Sequence, residues 1–275
     1  MVRIKHHLRK SAHSFLFMPA VKNFMMKMPV VRRIYSPLWG THPFDKEFGI
    51  ETSGILSAED IHPDKQLTAL ISPYIGSQPS IVRRGLTALG TYGDYTFIDY
   101  GCGKGRPIVV AREFPFQSVT GIELSPNLAA TARLNIAKVA SRFPDRQGMT
   151  IVCADVCDFP LPPGKLACFN YHAFGPEIVA RIIKKFETAL AGDTPHMFFI
   201  YYNPVHFELF DASPAFRRFY AQQIPYDKSE IGFGPDQDDA VVIWQSARGA
   251  IPTQHQGADR KIIITEPGCR AQLAD

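Results

Sequence analysis

Three alternate glycines lie in the segment FIDYGCGKGR, residues 97–106, between an apolar run and a stretch of small and branched residues. The apolar run at 96–100 predicts a buried strand, and residues 107–113 predict a helix. Gly101, Gly103 and Gly105 have no Cβ, so the backbone can turn tightly and a ligand can lie against main-chain atoms. The segment therefore predicts a strand, a ligand-binding turn and a helix, as in nucleotide-binding α/β domains.

Strand-like and helix-like segments continue to alternate along the chain. Further strands are predicted at 118–123, 149–154, 166–171 and 196–202, and further helices at 126–142, capped by Ser125, and 176–190. Residues 216–226 and 240–245 can pair as a closing hairpin. The pattern predicts an α/β fold: a doubly wound, mostly parallel seven-strand sheet with helices on both faces and an antiparallel closing strand.

Two acids bracket the glycine turn and narrow the choice of ligand. Asp99 ends the first of these strands, and Glu123 ends the next, where nucleotide-binding sheets place an acid that accepts hydrogen bonds from ribose hydroxyls. A dinucleotide fingerprint has the spacing G-x-G-x-x-G, whereas here Arg106 occupies the position of the last glycine. The spacing therefore argues against a nicotinamide or flavin dinucleotide.

The run DYGCGKG at 99–105 resembles motif I of the class I, seven-strand S-adenosylmethionine-dependent methyltransferases. Glu123 matches the ribose-binding acid of that family, and Asp155 matches its adenine-side acid, although Asp158 is close enough to be confused with it. The resemblance covers residues 93–205 and implies S-adenosylmethionine as cofactor. The residues that it implies for cofactor binding are Asp99, Gly101, Cys102, Gly103, Gly105, Glu123 and Asp155.

By the same resemblance, each part of the cofactor has its own contacts. Gly101 and Gly103 would approach the methionine portion, and Asp99 would orient its ammonium group. Asp155 would accept a hydrogen bond from the adenine amino group.

The methyl acceptor is sought after the fourth and fifth strands. Many class I members carry an Asn-Pro-Pro-Tyr-like loop after strand four, but this chain has His172 and Ala173 there, which weakens any inference of DNA adenine or glutamine methylation. His172 could act as a general base, donate to a substrate, or be a structural histidine. Asn203, after the fifth strand, could contact a substrate or simply make a turn.

Tyr74 is the third candidate catalytic residue. The segment YIGSQP at 74–79 is similar to an aromatic-and-proline segment that covers the cofactor in some lysine-modifying seven-strand methyltransferases. A loop tyrosine packed on the domain explains it equally well. We expect a methyltransferase acting on a small molecule or a protein side chain, lysine included. The alternatives are a nucleic-acid methyltransferase and a catalytically silent protein that binds the cofactor.

The chain divides by composition into a basic arm at 1–40, an extension at 41–92 with a helix near 79–90, a methyltransferase domain at 93–250 and a tail at 251–275. The arm contains no Asp or Glu, and its cations are Arg3, Lys5, Arg9, Lys10, Lys22, Lys27, Arg32 and Arg33. It could contact nucleic acid, which the slightly acidic remainder does not favour, or an anionic membrane. It could also be a transit peptide or a solvated leader.

The remaining segments give weaker expectations. The five cysteines are scattered without the paired spacing of a zinc site, so we expect reduced thiols, no metal and a cytoplasmic protein that could be peripheral at a membrane. No apolar stretch is long enough to span a bilayer. Residues 41–75 read as irregular, and 261–265 read as a strand without an assigned partner.

Overall fold

The computed structural model describes residues 40–146, 148–234, 236–252, 257–265 and 270–274. The expectations for the arm at 1–39 and for Cys269 lie outside these ranges. Of the described cysteines, Cys102, Cys153, Cys157 and Cys168 are free thiols. No helix in the described ranges is long and apolar enough to cross a membrane.

The extension contains short regular elements, so the expectation that 41–75 is irregular is wrong. They are α1 Pro43–Phe48, β1 Ile55–Leu56, α2 Ala58–Ile61, α3 Lys65–Thr68 and β2 Tyr74–Ile75, and the two strands pair antiparallel. Local caps define these helices: Ser57 and Asp60 form a capping box on α2, and Asp64 caps α3. Elements of two to six residues are too short to leave a periodic apolar pattern.

The main sheet follows the extension and has seven strands. They are β3 Tyr95–Tyr100, β4 Ser118–Glu123, β5 Met149–Cys153, β6 Lys165–Tyr171, β7 Met197–Tyr202, β8 Phe216–Pro225 and β9 Asp238–Ser246, in the order β5-β4-β3-β6-β7-β9-β8. Pairings from β5 through β7 are parallel, while β9 runs antiparallel to both β7 and β8. The predicted fold, with its antiparallel closing strand, is confirmed.

Helices cover both faces of this sheet and create two apolar cores. The remaining helices are α4 Pro79–Thr87, α5 Arg106–Ala111, α6 Pro126–Arg142, α7 Pro176–Ala191 and α8 Phe207–Asp211, with one 3₁₀ turn at Pro144–Arg146. One core joins α1, α4, α5 and α6 to the sheet, and the other joins α7 and α8 to the opposite face. Because β3 and β7 are buried along their whole length, neither shows polar alternation, and their residues are apolar or aromatic except Thr96 and Asp99 of β3.

Two details at element ends differ from or extend the sequence reading. Ser125 stands at the N-cap of α6, but its side chain makes no capping hydrogen bond; its backbone N–H instead donates to Glu123 Oε1 at 2.8 Å. The strand predicted at 261–265 is β10 Ile262–Thr265, whose partner is β11 Arg270–Leu273 in an antiparallel pair.

Candidate active site

A cleft of about 1040 Å³, partly open to solvent, lies at the carboxyl ends of β3, β4, β5 and β6. Parallel α/β sheets bind ligands at this edge, where the strands end and the loops diverge. Its lining includes these residues singled out from the sequence: Tyr74, Asp99, Gly101, Cys102, Gly103, Glu123 and Asp155. Residues 70–77 of the extension lie against the same cleft and close one side of it.

The backbone of the glycine turn has a shape that only glycine suits. Gly101 and Gly103 have φ values of 81° and 55°, in the left-handed region. A Cβ on Gly101 would come within 2.9 Å of the Ala173 Cβ, and one on Gly103 within 2.4 Å of the Tyr74 ring. The missing side chains therefore allow the turn to approach both the loop after β6 and the extension.

Glu123 is held by the backbone of this turn. Its Oε2 accepts from the Gly103 N–H at 2.9 Å and its Oε1 from the Ser125 N–H at 2.8 Å. Burial raises the pKa of Glu123, and the backbone hydrogen bonds oppose that shift. The carboxylate is thus fixed in direction at the edge of the cleft, and its oxygens retain lone pairs for further donors.

Asp99 lies deeper in the cleft and is only 1% exposed. Its Oδ2 has no hydrogen-bond partner among the described residues. Burial, followed by the negative charge of Glu123, raises the pKa of Asp99 well above its usual range. A cationic group at Oδ2 would offset both the desolvation and the repulsion.

Asp155 follows β5 on the opposite side of Glu123. Its Oδ1 accepts from the Cys157 N–H at 2.7 Å, so the loop itself orients the carboxylate. Asp155 lines the cleft, and Asp158 is not among the lining residues. The neighbouring walls are apolar, because Leu124 follows β4 and Val156 follows β5. Such walls suit the face of a purine ring.

The Tyr74 side chain packs on the glycine turn and bonds to the extension. Its ring covers Gly103, and its hydroxyl donates to the Thr52 carbonyl at 2.7 Å. Burial raises the pKa of Tyr74, so the hydroxyl stays protonated. Lys104 Nζ lies 5.6 Å from the ring centroid. The side chain therefore forms a wall of the cleft next to the glycine turn.

Arg106 bonds the extension to the end of the glycine turn. In the sequence its position served only as an argument against a dinucleotide. It is 2% exposed, and its guanidinium donates to Thr52 Oγ1, to the Thr52 carbonyl and to the Ser77 carbonyl at 2.7, 3.1 and 3.1 Å. Asp45 is 3.8 Å away. A buried arginine at the first position of α5 left no periodic signal in the sequence.

The loop after β6 forms main-chain hydrogen bonds with the extension. Ser72 N–H donates to the Ala173 carbonyl at 2.9 Å, and Gly175 N–H donates to the Leu70 carbonyl at 2.8 Å. Ile71 and Phe174 form an isolated antiparallel bridge between them. The segment at 70–72 therefore closes the cleft on the side where a methyl acceptor would be expected.

Three sequence candidates do not line the cleft. Gly105, with φ 85°, lies against Ala132 at the start of α5. His172 has φ 35° and a buried Nδ1 without a partner among the described residues, and burial lowers its pKa to about 4. Asn203 Oδ1 accepts from the Ala271 N–H at 2.8 Å, which attaches β11 to the sheet.

The cleft also contains residues that the sequence did not single out. Phe169 and Tyr171, near the carboxyl end of β6, line it together with Ala173, Phe174 and Ile178. Alternation along β6 could have pointed to Phe169 and Tyr171, which are two residues apart and on one face of the strand. No group of acids, histidines and cysteines in the described ranges is arranged to hold a metal ion.

Comparison with known proteins identifies the part of the chain that carries this site. Residues 98–174 match the family described as "Methyltransferase domain". No curated protein sequence matches the chain. Among solved structures, the 23S rRNA methyltransferase ErmE is 18% identical, with 64% of this chain and 70% of that chain covered and a TM-score of 0.43.

An RNA methyltransferase from Salinibacter ruber, solved with S-adenosyl-L-homocysteine, is also 18% identical, with 67% of this chain and 99% of that chain covered and a TM-score of 0.42. The match over 98–174 spans β3 to β6, and so contains the glycine turn, Glu123 and Asp155. The match therefore shows a methyltransferase domain at residues 98–174, within a seven-strand sheet that has an antiparallel closing strand.

Proposed function

We propose that the protein transfers the methyl group of S-adenosylmethionine to a small molecule or a protein side chain that enters the cleft beside Tyr171. The observation that carries the proposal is the meeting of the glycine turn, Asp99, Glu123 and Asp155 in one cleft. Asp99 would hold the methionine ammonium group, Glu123 the ribose hydroxyls and Asp155 the adenine amino group. The absence of Cβ atoms at Gly101 and Gly103 lets Ala173 and Tyr74 approach the glycine turn, and this turn would lie beside the methionine portion.

The chemistry of the donor set fits this cofactor. Asp99 has a buried carboxylate oxygen without a partner, and a primary ammonium group is the kind of ligand that such an oxygen stabilises. Glu123 ends β4, where nucleotide-binding sheets place a ribose-binding acid, and its oxygens have lone pairs beyond those that accept from Gly103 and Ser125. When bound, the cofactor supplies an electrophilic methyl group on a sulfonium sulfur.

The protein's part in such a reaction is alignment. Methyl transfer is an in-line displacement in which charge is dispersed, so holding the nucleophile in line is the main requirement. The roof formed by residues 70–77 and the loop after β6 would exclude water and limit the approach of the acceptor. A general base is needed only if the acceptor is protonated or weakly nucleophilic.

The cleft wall favours a small molecule or a side chain over a nucleic-acid backbone. The roof contributes apolar groups, including Leu70, Ile71 and Pro73. Among the described residues, the cations that line the cleft are Arg106 and Arg181, and Arg106 is already bonded to the extension. Phosphate recognition relies on several available Lys and Arg side chains, which this wall does not offer.

The experiment is a calorimetric titration of S-adenosylhomocysteine, followed by labelled methyl transfer in extract from the source organism. We expect Glu123→Gln to weaken binding by about tenfold or more, since two or more hydrogen bonds to a charged group would be altered. Glu208→Gln, at an exposed position on α8, is the matched control. Normal binding by the Glu123 variant, or no labelled product with wild-type protein, would count against the proposal.

A nucleic-acid acceptor is the second candidate because the arm at 1–40 is basic and has no acids. Removal of these residues should then abolish salt-dependent RNA or DNA binding. If the truncated protein retains methyl transfer to the same labelled fraction, the arm does not select the acceptor.

A further inference from the structure

An aromatic wall adjoins the acid-lined end of the cleft. Phe169 and Tyr171 line the cleft, and Phe169 pairs across the sheet with Asp99. The Tyr171 ring stacks on Tyr202 with centroids 4.2 Å apart and planes 21° apart. Since Tyr171 and Tyr202 are also register partners on β6 and β7, the stack is fixed by the sheet itself.

A buried carboxylate lies behind this wall. Asp239, near the start of β9, is 1% exposed and accepts a hydrogen bond from the Tyr226 hydroxyl. Next to it, Arg270 from β11 is ion-paired with Asp236 and Asp238. The cluster therefore holds three carboxylates and one guanidinium, and its formal charge is negative.

The rings in this cluster stay neutral while the carboxylate can ionise. Burial raises the pKa of Asp239 to about 7, against the Tyr226 hydrogen bond, with Asp236 raising it and Arg270 lowering it. Burial and the charge of Asp239 raise the pKa of Tyr171 well above its usual range. Above neutral pH the wall is therefore two neutral ring layers backed by negative charge.

We propose that the aromatic wall and the groups behind it form the acceptor end of the cleft and select an amine. This amine wall consists of Phe169, Tyr171, Tyr202, Tyr226 and Asp239. The inference rests on the proposed function and names its substrate class. Aromatic faces attract a cation, and a carboxylate buried behind them, where the effective dielectric constant is low, strengthens that attraction. A neutral hydroxyl acceptor would gain neither contribution.

The amine chemistry balances without a further reactant. The bound ammonium group first gives its proton to water at the cleft mouth. The nitrogen lone pair then forms the N–C bond, while the C–S bond breaks and its electron pair stays on sulfur. The products are a methylated ammonium group and a neutral thioether.

The test uses the full chain saturated with S-adenosylhomocysteine at pH 8. n-Butylammonium is titrated into one sample and n-butanol into another, and NMR measures the affinity of each. We expect the ammonium ion to bind about tenfold more tightly than the alcohol, the size of one cation–π contact plus a buried charge. Tyr171→Leu and Asp239→Asn should each reduce this preference to about threefold or less. Asp193→Asn, at an exposed loop position, is the matched control.

The two variants guard against a misfolded sample. Asp239 is fully buried, whereas Tyr171 is at the cleft surface, so Tyr171→Leu tests the wall even if Asp239→Asn does not fold. Equal binding of the two probes by wild-type protein, or an unchanged preference in Tyr171→Leu, would overturn the amine assignment. So would a labelled product methylated on oxygen or carbon, which would leave the proposed function standing. Failure of S-adenosylhomocysteine to bind would instead overturn the proposed function.

Discussion

The Arg106 Nε donates to Thr52 Oγ1 at 2.7 Å, which joins the first turn of α5 to a segment 54 residues earlier in the chain. The same guanidinium reaches the carbonyls of Thr52 and Ser77. Ser77 ends the roof segment 70–77, and Thr52 accepts a hydrogen bond from the Tyr74 hydroxyl, so this one side chain holds the roof directly at Ser77 and through Thr52 at Tyr74. Its replacement should therefore affect ligand binding as well as stability.

Arg106→Leu should lower the free energy of unfolding by about 3–5 kcal/mol, because it leaves buried carbonyls and Asp45 without their charged partner. We expect S-adenosylhomocysteine affinity to fall as well, since Tyr74 and residue 77 lose their anchor. Urea unfolding and calorimetry measure the two effects. Arg217→Leu, on an exposed position of β8, should change neither strongly; normal affinity in the Arg106 variant would contradict the role assigned to it.

Gly103→Ala should abolish S-adenosylhomocysteine binding. The new Cβ would lie 2.4 Å from the Tyr74 ring, at a φ of 55° that an L side chain rarely adopts. Gly164→Ala is the control, because its φ of 95° causes strain but no atom lies within 4 Å of the added Cβ. Calorimetry should therefore show that the first variant no longer binds the ligand. The second variant should bind normally and lose only folding stability.

Asp99→Asn should stabilise the ligand-free protein at pH 8 and weaken S-adenosylhomocysteine binding by about tenfold or more. The pKa of Asp99 is raised in the folded state, so the folded state binds this proton more tightly than the unfolded state. Stability then falls as pH rises above about 4, the unfolded value, and the asparagine variant lacks that loss. Urea unfolding from pH 4 to pH 8 checks the sign. Identical pH slopes in both proteins would contradict it.

His172→Asn should leave S-adenosylhomocysteine binding intact, because His172 does not line the cleft, and should change the pH dependence of stability. The pKa of His172 is lowered to about 4 by burial, so the folded protein resists a proton that the unfolded chain accepts near pH 6.5. Wild-type stability should therefore fall as pH drops from about 6.5 towards 4. The asparagine variant, which suits the positive φ, should show a shallower slope than a control at a partly exposed position, His62→Asn.

The sequence predicted the parts of this molecule whose physical cause is local. The apolar runs of β3 and β7, the left-handed turn at Gly101 and the acid at the end of β4 all follow from patterns within a few residues. The short helices at 43–68 depend on capping side chains, and α1 also packs against a distant core. The contacts of Arg106 with Thr52 and of Tyr171 with Tyr202 join separate elements, so no spacing in the sequence indicated them.

The bridge between Ile71 and Phe174 links the entry and exit of ligands to the breaking of backbone hydrogen bonds. A wider opening of the cleft on this side requires the Ser72 and Gly175 amides to leave their carbonyl acceptors. Those two amides should exchange their hydrogens with solvent at the rate at which the cleft opens. If product departure limits turnover, the exchange rate and the turnover rate will rise together in proteins with a weakened bridge.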